Sequence, residues 1–138
     1  LSEVMDLAME VGGTEHGFRF IQLPFNLMLD QAYLTKNHSV NGKTISLLEA
    51  AQAFNLGVFT SVPLLQGKLL TANVMPEFGD YSTSVRLLQF VRSTPGVTAP
   101  LIGQKSESHV TENMNIMKIP PLSESEFNEL LKKMVNRS

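Results

Sequence analysis

The sequence contains no cysteine and no tryptophan, and only 7% of its side chains are aromatic. Without thiols it can build neither a disulfide framework nor a thiolate metal cluster. The three histidines, His16, His38 and His109, are too scattered for a ligand set. These absences lead us to expect a cytoplasmic protein without a structural metal. Clustered positive charge is also missing: the formal charge is -2 and the pI lies near 5.9. Binding to nucleic acid or to anionic lipid needs grouped Lys and Arg, so no nucleic-acid partner is expected. No apolar run reaches the roughly 18 residues that cross a bilayer, and no basic-then-apolar signal opens the chain, so no membrane partner is expected either. What remains is a globular balance of 43% hydrophobic and 17% charged side chains over 138 residues. Such a chain is one domain or a piece of one, read here as a single piece over 1–138.

Leu1, Val4, Met5, Ala8 and Val11 recur at the spacing of an amphipathic helix with no entry segment before it, so the chain is expected to begin inside a domain. Gly12-Gly13 end that helix. Phe18 to Leu23 then read as a strand stopped by Pro24. The polar stretch Thr35 to Lys43 reads as a turn, and Thr44 as the cap of a helix carrying Leu47, Leu48, Ala51 and Phe54. A second strand runs from Gly57 to Val62 and stops at Pro63. The connection to Asp80 is long enough to be functional or mobile. A helix from about Ser82 to Arg92, a strand Val97 to Ile102 closed by Gly103, and a helix from Ser106 or Glu107 through Asn113 follow. Ser123 and Glu126 have capping-box spacing, and Phe127, Leu130, Leu131, Met134 and Val135 form an apolar stripe behind them. The methionines, for example Met5 and Met134, read as packing residues. Strands alternating with helices predict βαβ units and a parallel sheet. A doubly wound sheet and a piece of a (β/α)8 barrel both satisfy this pattern, a whole barrel needing about 200 residues or more.

Particular stretches narrow the choice. Phe20-Ile21-Gln22-Leu23-Pro24-Phe25-Asn26-Leu27 resembles the sixth barrel strand of aldo-keto reductases, where a strand glutamine precedes an aromatic-Asn-Leu turn. Gly57 to Leu69 is similar to the seventh strand and its loop. Pro95-Gly96-Val97 with Leu101 to Asn113 resembles the eighth strand and the helix that ends in Glu-Asn, and Pro121 to Glu126 the start of the last helix. The order and spacing of these stretches cover nearly the whole chain.

The resemblance implies a half-barrel fragment of the α/β class, cut from a barrel that binds NADP or NAD at its carboxy-terminal rim and reduces aldehydes or ketones. The family's catalytic Asp, Tyr, Lys and His stand on its first four strands, which this chain does not contain. No catalytic residue is therefore assigned, and Tyr33, Tyr81, Lys36 and His38 match no family position. The chain alone is expected to be inactive and to hold no cofactor tightly.

The resemblance also implies a cofactor site. Gln22 would meet the nicotinamide carboxamide, since an amide both donates and accepts. Pro63, Leu64, Gln66 and Lys68 would lie across the pyrophosphate. Gly103, Gln104, Lys105, Ser106 and His109 would receive the 2′-phosphate, with Glu112 and Asn113 on the adenine. The last group has independent physical support, because a helix start offers free N–H groups and a positive dipole end. The plain alternative is that Ser106 only caps a helix and Lys105 is solvated. At Ser61 the chain departs from the family, which has an aromatic ring there to stack on the nicotinamide. A hydroxyl supplies no flat face, and Phe59, two residues earlier on the same side of the strand, is the nearest substitute.

Two other readings stay open: a nucleotide-binding relative that has lost the chemistry, which Ser61 favours, and a small interaction module. The expected partners are the missing amino-terminal half of the barrel and, for the fragment alone, a second copy. A cut barrel exposes sheet edges and the inward strand faces near Phe20, Val58 and Leu101.

Overall fold

A computed structural model describes residues 1–135. Its elements, in chain order, are α1 (Ser2–Gly12), β1 (Phe20–Pro24), α2 (Gln31–Leu34), β2 (Lys36–Val40), β3 (Lys43–Ser46), α3 (Leu47–Ala53), β4 (Gly57–Ser61), α4 (Lys68–Thr71), α5 (Thr83–Ser93), β5 (Ala99–Pro100), α6 (Glu107–Met114) and α7 (Glu124–Val135). The strands β1, β4 and β5 form a parallel sheet in that order, with Gln22 opposite Phe59 and Phe59 opposite Ala99. This is the α/β crossover pattern expected of part of a (β/α)8 barrel.

One face of the sheet is covered by helices. Val58 and Thr60 of β4 are fully buried, and Ile21 and Leu23 of β1 pack against the core that contains Leu48, Leu87, Phe90, Val91 and Phe127. Phe25, just beyond β1, stacks on Phe90 at 6.2 Å, and Phe90 stacks on Phe127 at 5.5 Å. The core therefore lies between sheet and helices α3, α5 and α7. The other face is open: Phe20 is 58% exposed and Leu101 44%. Val58, expected on that open face, points to the covered one, because side chains alternate along a strand. The ring of Phe20 stacks on Phe59 at 5.5 Å and lies where a Cβ on Gly57 would be, 2.5 Å from its nearest carbon.

Several expectations give way to backbone hydrogen bonding. Pro24 belongs to β1, opposite Ser61, and the strand turns away at Phe25, whose N–H donates to Ser61 O at 3.1 Å. The stretch read as a turn is the hairpin β2–β3, its tip at Asn41 and Gly42, both at positive φ as a tight hairpin requires. Thr44 lies in β3, and Ser46 caps α3: Ser46 Oγ accepts from Glu49 N, and Glu49 Oε2 from Ser46 N at 2.7 Å. The eighth-strand segment shrinks to Ala99–Pro100. Pro100 has no N–H to offer, and Leu101 N donates to Thr60 O instead, at 2.7 Å.

The expected capping box at Ser123 and Glu126 is present, with Ser123 N donating to Glu126 Oε2 at 2.8 Å. Behind it Phe127 and Leu130 are buried and Leu131 and Met134 join the core; the side chain of Val135 lies outside the described part. Only Leu1 and Met5 of the α1 stripe reach the core, leaving Val4 47% and Val11 82% exposed. Met5, Met75 and Met134 pack, whereas Met9, Met28, Met114 and Met117 are exposed, so packing accounts for fewer than half of the seven methionines. No described helix is long and apolar enough to cross a membrane.

Candidate functional site

Parallel strands release their chains at one end of a sheet, and the connections leaving β4 and β5 form the walls of a cleft of about 850 Å³. One wall is the loop after β4, with Val62, Pro63, Leu64, Gln66, Gly67 and Leu70. The facing wall is Leu101, Ile102, Gly103 and Lys105 after β5, continuing into His109, Glu112 and Asn113 of α6. Thr83 and Ser84, in the first turn of α5, close it from the side.

The starts of α5 and α6 are both capped by serine. Ser82 Oγ accepts from Val85 N at 3.4 Å, and Ser106 Oγ from His109 N at 3.3 Å. Two helix amino-terminal turns thus border one cleft, and each brings the positive end of its dipole. Lys105 and His109 add positive or donor groups at the cleft wall. Glu112 is held by Ser84 Oγ, which donates to its Oε1 at 2.8 Å. Hydrogen bonds from Ser82 and Ser84, helped by His109, hold the Glu112 carboxyl below its ordinary range against the opposing effect of burial. Asn113 is only 6% exposed and lines the cleft.

The loop after β4 is held in an unusual backbone. Val62, Leu65, Gln66 and Gly67 all have positive φ, and Val62, at 51°, is β-branched. Its carbonyl accepts from Asn26 Nδ2 at 2.9 Å.

Of the residues singled out from sequence, the structure brings together Pro63, Leu64, Gln66, Gly103, Lys105, His109, Glu112 and Asn113. Ser106 acts as the α6 cap beside the cleft, and the exposed Gln104 is not among its walls. Lys68 opens α4 directly after Gly67 and is not among the cleft walls. Gln22 lies on the exposed side of β1, on the open sheet face rather than in the cleft. Ser61 ends β4, half-buried and outside the cleft wall. Sequence reading missed Val62, Gly67, Leu70, Thr83, Ser84, Leu101 and Ile102. The serine cap before Thr83 was a usable signal that a helix starts there, but not that its first turn meets α6.

No family model and no curated protein matches the chain. A solved aldo-keto reductase of Bacillus halodurans, in its holo form, is similar in structure with a TM-score of 0.61 at 16% identity. The similarity covers 94% of this chain and 46% of that one, so the chain spans less than half the length of the reductase. The fold is that of a portion of a (β/α)8 barrel, and the likeness at this identity concerns the fold alone.

Proposed function

We infer that the chain is the carboxy-terminal half of an NAD(P)H-dependent reductase of aldehydes and ketones, located in the cytoplasm, and that its cleft receives the adenylate end of the cofactor. The observation that carries this reading is the cleft wall itself, where the almost fully buried Asn113 stands with Lys105, His109 and a helix start. An adenine edge offers such an amide both a donor and an acceptor. A phosphate suits the free N–H groups at the start of α6 beside Lys105. When bound, the cofactor supplies hydride. The residues of this chain bind and orient; the proton for the carbonyl oxygen comes from outside it. Pro63, Leu64 and Gln66 would wall the pyrophosphate. The nicotinamide end fits less well, because Ser61 has no ring to stack.

That poor fit favours a second reading, a nucleotide-binding relative without hydride chemistry. Titration with NADP, following backbone amides, tests the shared part. Amides of residues 103 to 113 should shift with an affinity near millimolar, corresponding to only about 4 kcal/mol, since half of the barrel is not there to contribute. Responses elsewhere with these amides unmoved reject the site. The partner in this reading is the amino-terminal half of the barrel, which would pair with the free edge of β1 and cover Phe20 and Leu101. Carbonyl reduction by the two halves together, with none by either alone, separates the reductase from the binding relative.

A further inference from the structure

The aromatic-Asn-Leu turn after β1 is unexplained by the cleft residues themselves, yet its asparagine is fully buried. Asn26 uses both ends of its amide. Oδ1 accepts from Met28 N at 2.8 Å and Leu29 N at 3.1 Å, closing its own turn. Nδ2 reaches across to the next strand exit and donates to Val62 O at 2.9 Å. Val62 is the first residue of the cleft loop, and its φ of 51° is one that a β-branched side chain adopts only when its surroundings enforce it. The next positive φ values, at Leu65, Gln66 and Gly67, follow within the same loop. The Asn26 amide, with Phe25 N on Ser61 O, is what ties the root of this loop to a neighbouring strand.

We propose that Asn26 is a positioning residue of the nucleotide cleft: through the Val62 carbonyl it holds Val62 in the left-handed region and thereby sets the wall formed by Pro63, Leu64 and Gln66. The proposal rests on the nucleotide reading for its consequence in binding, but not for its geometry. Without the Asn26 donor, Val62 relaxes to an extended conformation and the loop leaves its binding position. Affinity then falls by the fraction of time that the loop still visits it. Glycine at position 62 takes a positive φ freely, so it removes the need for the restraint.

The test is a cycle of Asn26→Ala, Val62→Gly and the double variant, measured by NADP titration, by thermal melting and by the backbone chemical shifts of residue 62. Asn26→Ala should weaken NADP by about tenfold and move the residue-62 shifts out of the left-handed range. The double variant should recover affinity to within about threefold while its melting temperature stays as low as that of Asn26→Ala, because Met28 N–H remains without its acceptor and Leu29 N–H keeps only the carbonyl of residue 26. A purely structural role for Asn26 gives no such separation, and a double variant binding no better than Asn26→Ala overturns the proposal. If Asn26→Ala fails to fold, Val62→Gly alone decides: with φ truly positive it melts no lower than the parent chain, and a clear loss of stability refutes the assignment. A parent chain that leaves residues 103 to 113 unmoved under NADP rejects the nucleotide reading only, and the residue-62 shifts in Asn26→Ala still test the restraint.

Discussion

At the residue scale, Asn113 separates binding from stability. Its side chain lines the cleft and is 6% exposed, so Asn113→Leu removes the amide and keeps a side chain of similar size. The variant should melt near the parent temperature and lose at least tenfold in NADP affinity, about 1.4 kcal/mol. Melting and titration on one sample check both halves, and a large drop in melting temperature shows that the amide has a structural partner instead. Gly57 gives a second case. An added Cβ meets the Phe20 ring at 2.5 Å, but Phe20 is 58% exposed and free to swing away. Gly57→Ala should therefore cost about 1 kcal/mol or less in urea unfolding, at the low end for overpacking, and less again in a Phe20→Ala background, where only Thr98 Oγ1 at 3.3 Å still crowds the added carbon. Lys105 and His109 could be placed at one wall from sequence because they sit about one helical turn apart. Thr83 and Ser84 could not, since their place in the cleft depends on how α5 docks beside α6, a contact between segments far apart in the chain.

At the scale of elements, the capping boxes make the clearest case for pH dependence. Glu49 and Glu126 accept hydrogen bonds from Ser46 and Ser123, which hold both carboxyls below their ordinary 4.5. The unfolded chain takes up these protons first as pH falls. The stability they contribute is thus fully present above about 4.5 and is lost as pH drops through their lower folded values. Ser123→Ala should lower the melting temperature at neutral pH and flatten the acid limb, a difference that melts at several pH values will show. An acid limb as steep as that of the parent rules out this cap as its source. The box at Ser123 was legible because both of its members are local. The hairpin β2–β3 was not, although Asn41-Gly42 is a hairpin signal, because its strands carry Lys36, Asn37, His38, Lys43 and Thr44 and lack the apolar alternation that identifies a strand. The Ser46 cap was misplaced to Thr44 for the same reason: once Thr44 is in a strand, the helix start moves on.

For the whole molecule, a sheet covered on one side only is the dominant fact. Phe20 and Leu101, the exposed side of α1 with Val4, Leu7 and Val11, and the unpaired edge of β1 are more apolar and polar-edge surface than a lone parallel sheet normally leaves in water. In the absence of its complement the chain should form a symmetric dimer through these surfaces. Light scattering behind a sizing column at tens of micromolar should report about twice 15.3 kDa. A monodisperse species at 15.3 kDa without dye-binding apolar surface counts against it. The α/β class was readable from the order of strand-like and helix-like segments and the barrel only from the resemblance of particular stretches, but the facing of α1 was not. Its stripe has the right spacing for a core helix, and spacing does not tell whether the element it would cover is present.

The parallel sheet and the hairpin also differ in how soon their partners can meet. Val58 and Thr98 are 40 residues apart in the chain, whereas Val40 and Lys43 of the hairpin are separated only by its turn. Closing the short loop takes far less conformational search than threading two crossovers. During refolding, amides of residues 36–46 should gain hydrogen-exchange protection before those of β1, β4 and β5. The element hardest to see in the sequence would then be the first to form.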